Sequence, residues 1–241
     1  MQPLSSVPSR TEQVYHAIRE SICDCVLAPG THLVQEDLAA TLGVSRQPVQ
    51  QAMLLLKNDG LVVETGGRGL YVAPVERDDM VHHYQIRLVL DQLAARLVAE
   101  RARSDASFAD RLQTEGAAIL AAGKGAERAG GAAEAVRHDV AFHSFLYDMS
   151  GNPLIRPAAE AHWLFLRRVM IGVLLHAARG PLVWAQHERI LEALAAGKVD
   201  EGIALATEHV TGAQAALIDA MASDAAERFG QRAGQRQREA S

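Results

Sequence analysis

Apolar residues recur at three- and four-residue spacing along most of this chain. Val14, Ala17, Ile18, Ser21 and Ile22 make the inward stripe of a first helix over 11–26. Ala28-Pro29-Gly30 stops it and turns the chain. Leu38, Ala39 and Leu42 mark a short second helix over 36–42, ended by Gly43. Ser45 caps a third helix that runs to about Asp59 and buries Val49, Ala52, Met53 and Leu56. Pro48 lies in its first turn, where a missing amide donor does little harm. After Gly60 the period shortens to two. Leu61–Glu64 and Leu70–Ala73 read as strands joined by the glycine-rich turn Thr65–Gly69. Beyond Asp78 the helical period returns, with helices expected over 78–103, 105–122, 132–150, 153–178, 181–196 and 200–222. Ala121–Gly131, with four glycines, reads as loose, and the tail 223–241 as frayed helix or disorder.

The expected fold is mostly α. Three helices, a glycine hinge and a two-stranded wing make an N-terminal winged helix-turn-helix, followed by an antiparallel six- to seven-helix bundle. The polar, proline-bearing junction Ala73–Asp79 separates a DNA-binding domain over 8–75 from an all-helical domain over 78–225.

In a winged helix-turn-helix the third helix enters the major groove and its first residues meet base edges. Ser45, Arg46, Gln47, Gln50 and Gln51 occupy the start and outward side of that helix. Arg46 can pair with guanine or a phosphate, and Gln47 or Gln50 can read adenine. Arg68 sits at the wing tip, suited to backbone or minor-groove contact.

Composition limits how this module can work. The chain has 241 residues, 49% hydrophobic, enough for a proper core, and its 5% aromatic content argues against a single-strand binding surface. Net charge is -5, and residues 1–75 hold five Lys or Arg against seven Asp or Glu. Site recognition therefore depends on a few contacts and on doubling by a second subunit. The N-terminus has no signal-peptide pattern, and the apolar run Val169–Leu175 is far too short for a membrane span. Cys23 and Cys25, two apart in a helix, are poor disulfide partners, and a reducing cytoplasm is the default.

The second domain carries its chemistry in histidines. Asp139 and His143 are four apart and share a helical face with Val136, Phe142 and Leu146 nearby. His187 is in phase with Ile190, Leu191 and Leu194, and His209 with Leu205 and Ala206. At the helical rise, His187 and His209 each lie about 14 Å from the turn at Gly197, so an antiparallel pair brings them level. The result is a His₃Asp set suited to a divalent Zn, Ni, Fe or Mn ion. His16, His32, His82, His83, His138, His162 and His176 have no comparable partner at matching depth.

The string Leu27-Ala28-Pro29-Gly30, then Glu36-Asp37-Leu38-Ala39, then Leu42-Gly43-Val44-Ser45-Arg46-Gln47-Pro48-Val49-Gln50-Gln51-Ala52-Met53, with Gly60-Leu61-Val62 and Gly67-Arg68-Gly69, resembles the GntR family of bacterial transcription regulators, FadR-like branch. That family usually has Arg-Glu where this chain has Gln50-Gln51, which implies a changed operator preference or weaker phosphate binding. The resemblance extends into the second domain, which looks like the metal-binding, all-helical FCD type. There Asp139-x-x-x-His143, His187 ahead of Ile190 and Ala193-Leu194, His209, and Ser150-Gly151-Asn152-Pro153 match the branch's pattern. It implies that Arg87 helps hold a small carboxylate effector; Asp91 stands where the family more often has Glu, and Arg167 or Arg168 faces the cavity.

Together these readings describe a homodimeric, ligand-responsive regulator, most often a repressor in this family, on a palindromic operator. The rival class is a metal-dependent enzyme, because His₃Asp with a water could hydrolyse or activate oxygen. No general base beyond the ligands is evident, and a complete winged-helix module is an odd appendage for an enzyme. A metal with a purely structural role is the second alternative.

Overall fold

In a computed structural model, which describes residues 8–67, 69–174 and 180–239, the chain divides after Val75 into two compact units. Helix predominates, with one small sheet. Arg68 and His176 lie outside the described residues.

The first unit is built on three helices. α1 (Arg10–Cys23) opens with a capping box: Glu12 N donates to Ser9 Oγ at 3.2 Å, and Ser9 N donates to the Glu12 carboxylate at 2.6 Å. Val14, Ile18 and Ile22 are buried along it, whereas Ala17 of the expected stripe faces out. The helix ends at Cys23 and not at Val26, because Cys25 takes a positive φ of 56° and Leu27 N donates back to Ser21 O at 2.9 Å. α2 (Gln35–Leu42) ends at Gly43, whose left-handed backbone (φ 64°) turns the chain into α3 (Arg46–Asn58). α3 buries Val49, Ala52, Met53 and Leu56. The sheet has three strands where two were expected: β1 (His32–Leu33), β2 (Val62–Glu64) and β3 (Leu70–Val72), in antiparallel order β1-β3-β2. Two residues are too few to show an alternation, so β1 left no period in the sequence.

The second unit is a bundle of six helices among the described residues: α4 (Arg77–Ser104), α5 (Ala106–Arg128), α6 (Ala132–Met149), α7 (Ile155–Leu174), α8 (Gly180–Ala195) and α9 (Val199–Glu239). α4 packs against each of the other five. The core joins Val98 and Ala99 of α4, Leu112 and Leu120 of α5, Phe142 and Leu146 of α6, and Ile190, Leu191 and Leu194 of α8. Ala121–Gly131 is not a loose segment, since α5 continues to Arg128. Its glycines make room for a neighbour: a Cβ on Gly123 would lie 2.2 Å from the Trp184 ring, and one on Gly116 2.6 Å from Leu191. The last helix likewise continues past 222 to Glu239, through a run rich in the strong helix formers Ala, Glu, Arg and Gln. A short turn joins α8 to α9. Gly197 there has φ 67°, and a Cβ on it would meet the Arg103 backbone at 2.8 Å.

Candidate metal centre and DNA-reading face

Asp139 and His143 project one turn apart from the buried face of α6. α8 and α9 run antiparallel from their short turn and add His187 and His209 at one level. One ligand atom from each of the four residues lies within 4.8 Å of the others. The His187 and His209 rings are 4.5 Å apart, and His143 stands 5.1 Å from His187 and 5.2 Å from His209. All four are buried, His187 completely.

The donor set suits a cation. Burial, then the neighbouring His209 and His143, hold His187 well below its ordinary value; burial, then His143 and Arg87, do the same to His209. Both imidazoles are therefore neutral, the form that ligates metal. Gln186 Oε1 lies 3.1 Å from His209 Nδ1; an acceptor there requires the proton on Nδ1 and leaves Nε2 with a lone pair toward the cluster. Burial raises the Asp139 carboxyl, outweighing His143 and Arg87. Asp139 Oδ2 and His187 Nδ1 are buried without a hydrogen-bond partner. Unsatisfied buried polar atoms cost stability unless something binds them. His187 turns Nε2 toward His209 Nε2 at 3.1 Å and Asp139 Oδ1 at 3.4 Å, so the orphaned Asp139 oxygen beside these nitrogens fits an ion better than a plain core.

A second polar group flanks this set. Arg87, only 2% exposed, donates from Nε to Asp91 Oδ2 at 3.2 Å and from Nη2 to His143 Nε2 at 2.8 Å. Its guanidinium carbon lies 4.2 Å from the centre of the Trp163 ring. Tyr147 donates its hydroxyl to Asp91 Oδ1 at 2.5 Å. Burial works to raise the Asp91 carboxyl, but His143, Arg87 and Tyr147 overcome it and hold the group well below its ordinary value. Tyr84, pushed by burial to about 12, stays protonated beside Arg87. Arg168 of α7 is also buried.

Tyr84, Trp163, Tyr147 and Gln186 were not anticipated from sequence. Two of them carried a signal: Tyr84, Arg87 and Asp91 recur at helical spacing on α4, and Tyr147 continues the Asp139-His143 step on α6. The expectation that His83 and His162 lack partners fails. Their Nδ1 atoms are 2.9 Å apart across α4 and α7, and His83 stacks on Phe165 at 4.2 Å. A pair drawn from two distant helices leaves no spacing to read.

In the first unit Ser45, Arg46, Gln47 and Gln50 are all exposed at the start of α3. Ser45 holds the N-cap position without a side-chain cap bond. Arg46 pairs with Glu36 of α2, and Thr11 donates to Gln51 Oε1 at 2.6 Å. Arg68 lies outside the described residues. Among the described residues no helix is long and apolar enough to cross a membrane.

Comparison with known proteins agrees with both units. Residues 10–72 match the bacterial regulatory proteins of the gntR family, and residues 82–212 match the FCD domain. The HTH-type transcriptional regulator YdhC of Bacillus subtilis is 30% identical over 148 residues, 61% of this chain and 64% of that protein. The HTH-type transcriptional repressor RspR of Escherichia coli is 33% identical over 88 residues, 36% and 39% of the two chains. The chain thus spans less than two thirds of either curated relative. A solved structure from Rhodococcus sp. RHA1, described as a GntR transcriptional regulator, superposes with a TM-score of 0.74 at 26% identity, over 88% of this chain and 99% of that one. These families and relatives are regulators of transcription, not enzymes. The chain belongs to the GntR family of bacterial regulatory proteins and joins that family's helix-turn-helix to an FCD domain.

Proposed function

We propose that this regulator is a cytoplasmic homodimeric repressor that senses a small carboxylate through a divalent metal held by Asp139, His143, His187 and His209. The supporting observation is four buried donors from three helices within 4.8 Å, with Asp139 Oδ2 otherwise unsatisfied. Imidazole and carboxylate donors suit Zn, Ni, Fe or Mn. The ion would supply coordination positions for the oxygens of an acid. Arg87 offers the same acid a positive charge, while Asp91, Tyr84 and the Trp163 ring fix the guanidinium.

Residues 8–75 read a palindromic operator, with Ser45, Arg46, Gln47 and Gln50 on α3 and Arg68 on the wing as contacts. Residues 78–225 hold the effector and form the dimer. Acid binding biases the bundle between two arrangements, and the junction near Pro74 passes that bias to the DNA modules. Repression is the family's common mode and is what RspR is named for.

Elemental analysis tests the site. The wild type should carry about one divalent ion per chain, and His187→Ala or His209→Ala should lose most of it. Unchanged metal in both variants sinks the assignment. Calorimetric titration of the metal-loaded protein with a panel of small carboxylates, followed by operator binding, tests the sensing. Metal without any acid response leaves a structural ion.

A further inference from the structure

The outward face of α4 breaks the usual rule for a surface helix. Met80, Tyr84, Ala94, Ala95 and Val98 line its buried side. Directly opposite, where charged residues belong, Ile86 is 48% and Val89 60% exposed, with half-buried Leu93 beside them. Single exposed apolar residues are ordinary. These three belong to a longer series, Asp79, His82, Ile86, Val89, Leu93 and Arg96, whose steps alternate between three and four residues. That alternation is the seam of a helix that pairs with another helix.

The ends of the seam say which helix. Asp79 and Arg96 are exposed, and neither joins an ion pair among the described residues; the Asp79 charge bears on His83, one turn on along its own helix. Against a parallel copy, each would meet its own like charge. An antiparallel copy centred between Ile86 and Val89 sets Asp79 opposite the partner's Arg96, His82 opposite the partner's Leu93, and Ile86 opposite the partner's Val89. Every layer then joins the two classes of seam position, as antiparallel helix pairs require, and the two-fold axis makes every contact twice.

We propose that the outward face of α4 is where a second copy of this chain docks, antiparallel across a two-fold axis, with Ile86 on the partner's Val89 at the centre and Asp79 opposite the partner's Arg96 at each end. It rests on the dimeric reading above and adds the face, the direction and the register.

Sedimentation equilibrium on the full metal-loaded chain tests it. Ile86→Glu buries two carboxylates at the centre and should weaken the dimer by about a hundredfold or more. Asp79→Arg and Arg96→Asp each make two like-charge pairs, and each should weaken it by about tenfold. The double variant D79R/R96D restores opposite charges and should recover most of the loss. All three positions are on the surface, so the helical circular dichroism should not change. A dimer indifferent to Ile86→Glu, or a double variant no better than the singles, overturns the proposed face while the dimeric reading stands. A wild type that stays monomeric at every concentration overturns the dimeric reading and this proposal with it.

Discussion

At the scale of single residues, the bundle concentrates its electrostatics around two imidazoles that burial keeps neutral. In the unfolded chain those histidines titrate at 6.5, whereas in the metal-free fold His187 and His209 titrate well below that. As the pH falls through 6.5 the unfolded chain takes up protons that the folded chain refuses, so stability must fall. The metal-free protein should therefore melt at a lower temperature at pH 5.5 than at pH 7.5. Asp139 acts in the opposite sense, because its raised carboxyl keeps a proton that the unfolded chain loses above 3.8. An Asp139→Asn background removes that effect and gives the cleaner comparison. A melting temperature flat across the interval in that background means the histidines are not held neutral by burial.

At the scale of elements, what could be read from the sequence depended on whether a feature leaves a period. Asp139 and His143 sit one turn apart on a single helix, and a turn of known position set His187 and His209 level. The packing of Trp163 against Arg87 and the His83–His162 pair join different helices, so no interval along the chain encodes them. The glycines of α5 misled for another reason. Glycine weakens a helix by its freedom, which reads along the sequence as a break, but Gly123 gives Trp184 a seat. Gly123→Ala should cost about 1–3 kcal/mol, as overpacking does. Gly125→Ala, with nothing within 4 Å of the new methyl group, should instead stabilise by up to about 1 kcal/mol. Thermal denaturation of the two variants should move in opposite directions, and a shared sign would refute the packing argument.

At the scale of the whole molecule, the acidic balance of the first unit shapes how the regulator finds DNA. With five basic residues against seven acidic ones over 1–75, and Arg46 already paired with Glu36, few cations remain for phosphates. Gln50 stands exposed where the family usually has arginine. Gln50→Arg should tighten binding to unrelated duplexes and steepen the dependence of log K on log salt by about 0.9 per added phosphate contact, or about 2 for a two-fold dimer. A slope unchanged in Gln50→Arg would mean that this position does not face the backbone.

The turn between α8 and α9 has a reach beyond its size. Gly197 lies about 14 Å from the two histidines it sets level, and its α-carbon hydrogen nests against the backbone of Arg103. Any side chain there must push the end of α4 away or slide one helix of the hairpin along the other, which takes His187 and His209 out of step. A genetic selection for variants deaf to the proposed effector should therefore return lesions at Gly197 as well as at the ligands, and the Gly197 mutants should keep every coordinating side chain and yet emerge from purification without metal.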